Sequence, residues 1–289
     1  MQTSLLPRYI EIETSTYCNR SCSWCPNGSY ERNNSQRPIS PTLFTKIIEE
    51  LKKVDYSNRI ALHNYNEPLF DPKLFQHIKQ IRNLLPSSEL LILTNGDILN
   101  EQKCRELEAS GVALLRITLY DAINSDNPRN ILTKHIKRCN LEDCLDDISD
   151  EFGTKLRTQL GDMSIIYYIP DLTRFTSRGG IMQDLGDMPK DAALCGLPFS
   201  SCAIDYEGNL KICCEIYPEN EVHRRTGIVG NLNEHSFLEL WFSEEYNQLR
   251  RDMISGNLNN EVCIVCKSKP KNAEVDKELI TLWTDYLGI

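Results

Sequence analysis

The sequence predicts an α/β fold, an incomplete parallel barrel of five or six strands with a small cysteine-bearing unit appended C-terminally. Three observations carry this. From residue 9 to about 120, strand-length apolar runs trade places with amphipathic helical stretches, the pattern of parallel β/α units. From about Phe175 that alternation gives way to turn-rich sequence and a hairpin pattern. Finally, the 12 cysteines of this 289-residue chain include two clustered sets, one early and one late.

The elements follow in order. Residues 9–15 (YIEIETS) alternate apolar and polar and predict the first strand, with a cysteine loop directly after it. A helix is predicted over 40–54, with Ser40 as N-cap, Pro41 in the first turn and Leu43, Ile47, Leu51 and Val54 as the apolar stripe. RIALHNY (59–65) is the second strand, and 71–85 the second helix with Asp71 and Pro72 at its start. ELLILT (89–94) is the third strand, closed by Asn95 and Gly96. Residues 101–110 are helical, and ALLRITLY (113–120) is the fourth strand. Residues 128–139 and 141–152 are helical candidates, 155–160 a short fifth strand and 163–170 a final strand. Residues 202–217 form a hairpin turning at Glu207-Gly208-Asn209, followed by a helix over 236–256. The predicted boundaries are a barrel at 1–174, a linker at 175–194, an auxiliary unit at 195–270 and a terminal helix and tail at 271–289.

A formal charge of −9 argues against a general polyanion-binding surface, so no nucleic-acid partner is expected. There is no basic leader followed by an apolar run. The longest apolar runs, ELLILT and SIIYYI, are strand-sized and too short to span a membrane. A cytoplasmic location is expected. In such a chain, closely spaced cysteines read as metal ligands rather than as a disulfide framework.

Cys18, Cys22 and Cys25 stand as C-x3-C-x2-C after the first strand, at the sheet edge where ligands bind in such folds. Three thiolates hold three irons of a cubane cluster and leave the fourth open. A structural zinc would want a fourth ligand, which nothing local supplies, although His63 or His77 is a distant option.

With Trp24 directly before the third cysteine, this loop resembles that of the radical S-adenosylmethionine (AdoMet) superfamily. The resemblance implies a partial (β/α)5–6 barrel and a [4Fe-4S] cluster whose open iron chelates AdoMet. One-electron cleavage would then give a 5′-deoxyadenosyl radical that abstracts a hydrogen atom. It implies cofactor contacts from Trp24, from Asn66, Glu67 and Pro68, from Thr94, Asn95 and Gly96, and from Thr118. Asn66 stands where many members carry glycine, while the carboxylate of Glu67 is suited to an ammonium.

Cys195-x12-Gly208-x4-Cys213, followed by Cys263-x2-Cys266, resembles the auxiliary-cluster domains of the same superfamily, called SPASM domains. With no cysteine after Cys266, the shortened "twitch" form is expected, holding one auxiliary [4Fe-4S] cluster with four cysteine ligands and no open iron. Tetrahedral zinc is the competing use of four thiolates. Cys202 competes with Cys195. Cys213 is preferred to Cys214, its neighbour, because adjacent strand residues face opposite ways. Ser177-Arg178-Gly179-Gly180 resembles the Asn-Arg-Gly-Gly segment between barrel and auxiliary domain, so Arg178, and secondarily Arg174, are candidates to orient AdoMet or substrate.

A closed auxiliary cluster suits an electron acceptor. The resemblance therefore implies a radical AdoMet oxidoreductase that oxidises a carbinol of a small sugar or aminocyclitol to a ketone. An external one-electron reductant such as flavodoxin or ferredoxin is implied as partner. One alternative is an epimerase with a cysteine thiol as hydrogen donor, for which Cys214, Cys202 and Cys144 are candidates. Others are a peptide-modifying enzyme, disfavoured by the mere 17 residues before Cys18, and a non-enzymatic zinc protein.

Overall fold

The computed structural model describes residues 2–34, 36–123, 125–141, 145–185, 194–266 and 273–289. The barrel half runs β1 (Tyr9–Ile12), α1 (Pro41–Lys53), β2 (Arg59–Ala61), α2 (Leu74–Leu84), β3 (Glu89–Thr94), α3 (Glu101–Ala109), β4 (Leu114–Thr118), α4 (Pro128–Cys139), β5 (Asp146–Asp147), β6 (Gly153–Leu160) and β7 (Met163–Pro170). The expected cap forms: Ser40 Oγ accepts from the Leu43 amide at 3.1 Å with Pro41 in the first turn of α1. Asn100, which sequence reasoning did not single out, accepts from the Lys103 amide to start α3. Asp71 lies before α2 rather than inside it, and its side chain accepts from the Lys73 amide.

The C-terminal half comprises α5 (Leu197–Ser200), β8 (Ser201–Ile204), β9 (Asn209–Lys211), α6 (Glu221–Gly227), β10 (Ile228–Asn231), α7 (Phe237–Trp241), α8 (Glu244–Ser255), α9 (Glu261–Val265) and α10 (Ala273–Leu287). The helix expected over 236–256 is two helices. Ser236 opens the first with a capping box to Glu239, and Ser243 caps the second. α10 is the expected terminal helix.

All ten strands form one sheet in the order β10-β9-β8-β1-β2-β3-β4-β7-β6-β5. Neighbours from β8 through β1, β2, β3 and β4 to β7 are parallel. Five of these strands come from the barrel half and the sixth, β8, from the C-terminal half, so the two halves share one sheet. Three expectations are corrected. The second strand of the expected 202–217 hairpin ends at Lys211 as β9, so Cys213 and Cys214 lie beyond it, where strand alternation does not sort them. The short fifth strand is the eight-residue β6, antiparallel to β7 in a hairpin. Within the described part of 141–152 there is no helix, and Asp146 and Asp147 pair with β6 instead.

Alternation sorts the side chains into two faces. Ile10, Ile12, Ile60, Leu90, Ile92, Leu115, Ile117, Ile165 and Tyr167 pack under Phe44, Ile47, Ile48, Ile78, Ile81, Leu107 and Ile136 of the helices. The opposite face carries Tyr9, Glu11, Glu13, Arg116, Thr118 and Tyr168 into the lumen of the open barrel. No helix among the described residues is long and apolar enough to cross a membrane.

Candidate active site

The three-cysteine loop is held from several sides. The Cys25 amide donates to Cys22 O at 3.1 Å, and the Gly28 amide to Cys25 O at 2.9 Å. Asn27 Nδ2 donates to Tyr65 O at 2.7 Å, and its Oδ1 accepts from Tyr217 Oη at 3.0 Å, joining the loop to the end of β2 and to the segment after β9. A Cβ on residue 28 would stand 2.4 Å from Cys22 O, so only glycine fits there. Arg20 reaches the loops after β3 and β4, donating to both oxygens of Asp97 and both of Asp121.

The loop brings Cys18, Cys22 and Cys25 within electrostatic reach of one another. Burial, reinforced by the neighbouring thiols, pushes Cys18 up to about 12 and Cys22 to about 11. Burial also raises Cys25, with the Arg178 charge opposing. Such thiols become thiolates only when something compensates the charge, as a metal does. Among the described residues no three His, Cys, Asp or Glu side chains converge as one metal ion requires. A cubane asks for less convergence, because each thiolate takes a different iron. The site fits that group.

Residues expected to contact the cofactor gather at the same sheet edge. Glu67 is buried and bridges the ends of β2 and β3. Its Oε1 accepts from Thr94 Oγ1 at 2.6 Å and the Leu69 amide at 3.1 Å, and its Oε2 from the Asn95 amide at 2.7 Å. Burial raises it to about 7, against these hydrogen bonds. Its capacity toward a ligand is thus the lone-pair space left on Oε2. Pro68 opens a 3₁₀ turn. Asn66 turns into the fold, accepting from the Asn64 amide at 3.1 Å and lying 3.4 Å from Thr14 Oγ1. Asn95 Nδ2 donates to Asn19 Oδ1 at 2.7 Å. Gly96 takes φ +72°, and a Cβ there would meet Ile117 at 2.7 Å. Trp24 packs 6.0 Å from the Tyr120 ring, beyond Thr118.

The late cysteines also gather. Cys213 is raised by burial first and then by Cys214, Cys263 and Cys266, while Cys263, at about 12, senses Cys195 and Cys266. Cys214, beyond the end of β9 like Cys213, also has influence elsewhere. Its charge is felt by Tyr9 and Tyr65, and its carbonyl accepts from Asn64 Nδ2 at 3.0 Å. Arg178, at φ +48°, reaches the same region, 3.7 Å from Glu215 and within the field of Cys25, Tyr65 and Tyr120. Three expected residues are not brought there. Cys202 is the register partner of Ile10 and packs in the core on the helix-covered face. Arg174 is partly exposed and pairs with Glu151 at 4.0 Å. Cys144 lies outside the described residues.

Sequence reasoning missed the supporting groups: Arg20 with its two aspartates, Asn27, Gly28, and the buried pair of Glu13 and Arg32 at 2.5 Å. It also missed Lys211, which donates to Asn64 Oδ1 at 2.5 Å inside the lumen. Only Arg20 carried a local signal, as a charge inside the cysteine loop.

Comparison with known proteins agrees with this geometry. Residues 12–147 match the radical SAM superfamily, and residues 195–267 match an iron-sulfur cluster-binding domain, SPASM. The chain is 24% identical over 262 residues, 90% of it and 92% of the relative, to the S-adenosyl-L-methionine-dependent 2-deoxy-scyllo-inosamine dehydrogenase of Niallia circulans. It is also 24% identical over 112 residues to the tungsten-containing aldehyde ferredoxin oxidoreductase cofactor-modifying protein of Pyrococcus furiosus. That match takes in 39% of this chain and 30% of the relative. In fold, it matches the crystal structure of BtrN in complex with AdoMet and 2-DOIA with a TM-score of 0.67 at 21% identity, over 94% of this chain and 98% of that one. An open conformation of BtrN matches with a TM-score of 0.58 at 20% identity, over 86% of each chain. The chain thus belongs to the radical SAM superfamily, AdoMet-binding iron-sulfur enzymes, and carries a C-terminal iron-sulfur cluster-binding domain.

Proposed function

We propose that this enzyme oxidises a secondary alcohol of a small sugar or aminocyclitol to a ketone, taking one hydrogen atom, one proton and one electron. The observation that supports this is the nearness of the late cysteines to the polar face of the sheet: Cys213 is influenced by Cys263 and Cys266, Cys263 by Cys195, and Cys214, next to Cys213 in the chain, influences Tyr9 and Tyr65. In this reading an electron leaving a ligand near those tyrosines has a short path to the late cysteines.

In this reading Cys18, Cys22 and Cys25 hold a [4Fe-4S] cluster with one open iron, and Cys195, Cys213, Cys263 and Cys266 hold a closed one. When bound, AdoMet and the first cluster supply the carbon radical that removes the hydrogen atom, and the second cluster supplies the electron sink. The chain's own residues bind and orient. Arg178 presents a guanidinium to hydroxyl or carboxylate groups, Glu67 offers a carboxylate oxygen to an ammonium, and Trp24 walls the cofactor side. Flavodoxin or ferredoxin would deliver the starting electron. The relative's dehydrogenation of 2-deoxy-scyllo-inosamine supports this substrate class.

The test is anaerobic reconstitution followed by turnover of 2-deoxy-scyllo-inosamine with AdoMet and a reductant. About eight irons per chain and a product two mass units lighter are expected. Iron-free protein holding zinc at both sites, or a product of unchanged mass, overturns the reading. Epimerisation is the second reading, favoured by the thiol of Cys214 within electrostatic range of Tyr9 and Tyr65.

A further inference from the structure

The lumen holds a polar cluster that neither cysteine set uses. Glu11 of β1 and His63 just beyond β2 meet there, and Arg116 of β4 lies within electrostatic range of both. His63 Nε2 lies 3.7 Å from Glu11 Oε1 and 3.5 Å from Tyr9 Oη. Asn64 Nδ2 donates to Glu11 Oε2 at 2.7 Å. Arg116 lies over the Tyr168 ring at 5.7 Å, and its buried Nε has no hydrogen-bond partner among the described residues. The charge of Arg116 is felt by Glu11, His63 and Tyr9 alike. Buried polar groups are almost always hydrogen-bonded. A carboxylate, an imidazole and an incompletely bonded guanidinium on one face of the sheet therefore fit a ligand dense in hydroxyl groups.

We propose that Glu11 accepts the hydroxyl proton of the substrate carbinol while Arg116 and His63 hold its neighbouring hydroxyls. This rests on the dehydrogenase reading above. The carbinol C–H and O–H bonds both break. The hydrogen atom goes to the AdoMet-derived carbon radical, and the proton goes to the Glu11 carboxylate. Of the three electrons left, two form the second carbon–oxygen bond and one leaves to an iron-sulfur acceptor.

The alternatives in the lumen are poorer bases. A guanidinium stays protonated in proteins, so Arg116 and Arg178 can orient the substrate and not take its proton. Burial, then the charge of Arg116, lowers His63 to about 3. Burial raises Glu11 to about 6, with Asn64, Lys211 and Arg116 opposing and Glu215 reinforcing. It is thus ionised at neutral pH yet more basic than an exposed carboxylate, as general-base work favours. The groups facing it are Tyr9 from its own strand, His63 and Asn64 from the end of β2, Arg116 from β4, Lys211 from β9, and Cys214 and Glu215 beyond β9.

The test uses the reconstituted, AdoMet-loaded enzyme with 2-deoxy-scyllo-inosamine as probe. Wild-type ketone formation should fall below about pH 6. Glu11→Gln should bind the probe within about threefold of wild type by calorimetry and still release 5′-deoxyadenosine, yet form ketone about a hundredfold more slowly. Arg116→Met should weaken probe binding at least about tenfold. Glu11→Gln forming ketone at the wild-type rate overturns the base assignment, and unchanged probe affinity in Arg116→Met overturns the subsite. Should Glu11→Gln misfold, Glu11→Asp decides, because an acid limb identical to wild type then overturns the proposal. A wild-type enzyme that binds the probe and forms no ketone overturns the dehydrogenase reading instead.

Discussion

Arg20 and Asp97 are joined by two parallel hydrogen bonds, Nε to Oδ2 at 2.7 Å and Nη2 to Oδ1 at 2.5 Å. Asp121 takes the outer edge of the same guanidinium at 2.7 and 2.9 Å. One side chain within the cysteine loop thus fixes that loop to the ends of β3 and β4, so the thiols are placed by the sheet rather than by the loop's own stiffness. Bidentate pairing of this kind needs a planar fork, which lysine lacks.

Arg20→Lys should therefore keep the charge and lose the placement. We expect a stability loss of about 1–2 kcal/mol, toward and below the low end of the range for hydrogen bonds to charged groups because the carboxylates are partly exposed. Hydrogen exchange over residues 18–25 should accelerate, and less iron should be retained after reconstitution. Exchange unchanged from wild type would show that the cysteine loop holds itself.

Gly28→Ala tests the same loop by shape alone. Its Cβ would stand 2.4 Å from a backbone carbonyl oxygen, which no side-chain rotation relieves. Iron content at the first cluster should drop by about half or more of its wild-type value, while Gly256→Ala, which meets no neighbour but strains the left-handed C-cap of α8 (φ +75°), should cost some stability and leave first-cluster iron unchanged. Electron paramagnetic resonance of the reduced protein separates the two clusters. A full first-cluster signal in Gly28→Ala would show that the loop can shift at little cost.

Much of the fold was legible because it is encoded locally. Ser40-Pro41, the alternation in YIEIETS and the apolar run ELLILT each specify an element within a few residues. What stayed hidden depends on partners far along the chain. β8 lies parallel to β1 although about 190 residues separate them, and β10 adds to β9 without a distinctive run. Asp146 and Asp147 sit in a stretch of helical composition and pair only because β6 lies alongside. At the site, the cysteine spacing is a local signature. The contacts of Asn27, Arg20, Lys211 and Asn64 are tertiary, and Cys202 could be set aside only once its register with Ile10 was known.

Acid sensitivity should trace to His63. Burial, then Arg116, depresses it to about 3, so the folded state keeps the ring neutral while the unfolded chain protonates it near 6.5. The stability this contributes is present above pH 6.5 and lost as pH falls toward 3. Anaerobic urea unfolding of wild type and His63→Gln should converge on acidification from pH 7.5 to 5.5. The slope below pH 6.5 should not exceed about 1.4 kcal/mol per pH unit. A constant difference between the two would mean that the ring protonates in place.

Cys214 decides between oxidation and epimerisation. Of the three cysteines considered as hydrogen donors, Cys202 is in the core, whereas Cys214 is only partly buried and lies within electrostatic range of Tyr9 and Tyr65. An epimerase would pass the Cys214 hydrogen to the substrate carbon, and in deuterated water its product would carry a stable carbon-bound deuterium at otherwise unchanged mass. Dehydrogenation uses no such donor. In that case Cys214→Ala should keep ketone formation within about threefold of wild type, because the change removes a small side chain and none of the four cysteines proposed as auxiliary ligands. Deuterium incorporated by wild type and absent in Cys214→Ala would overturn the dehydrogenase reading. Cys202→Ala is the control, since it should lower the unfolding midpoint by opening a cavity in the core while leaving the isotope pattern as in wild type.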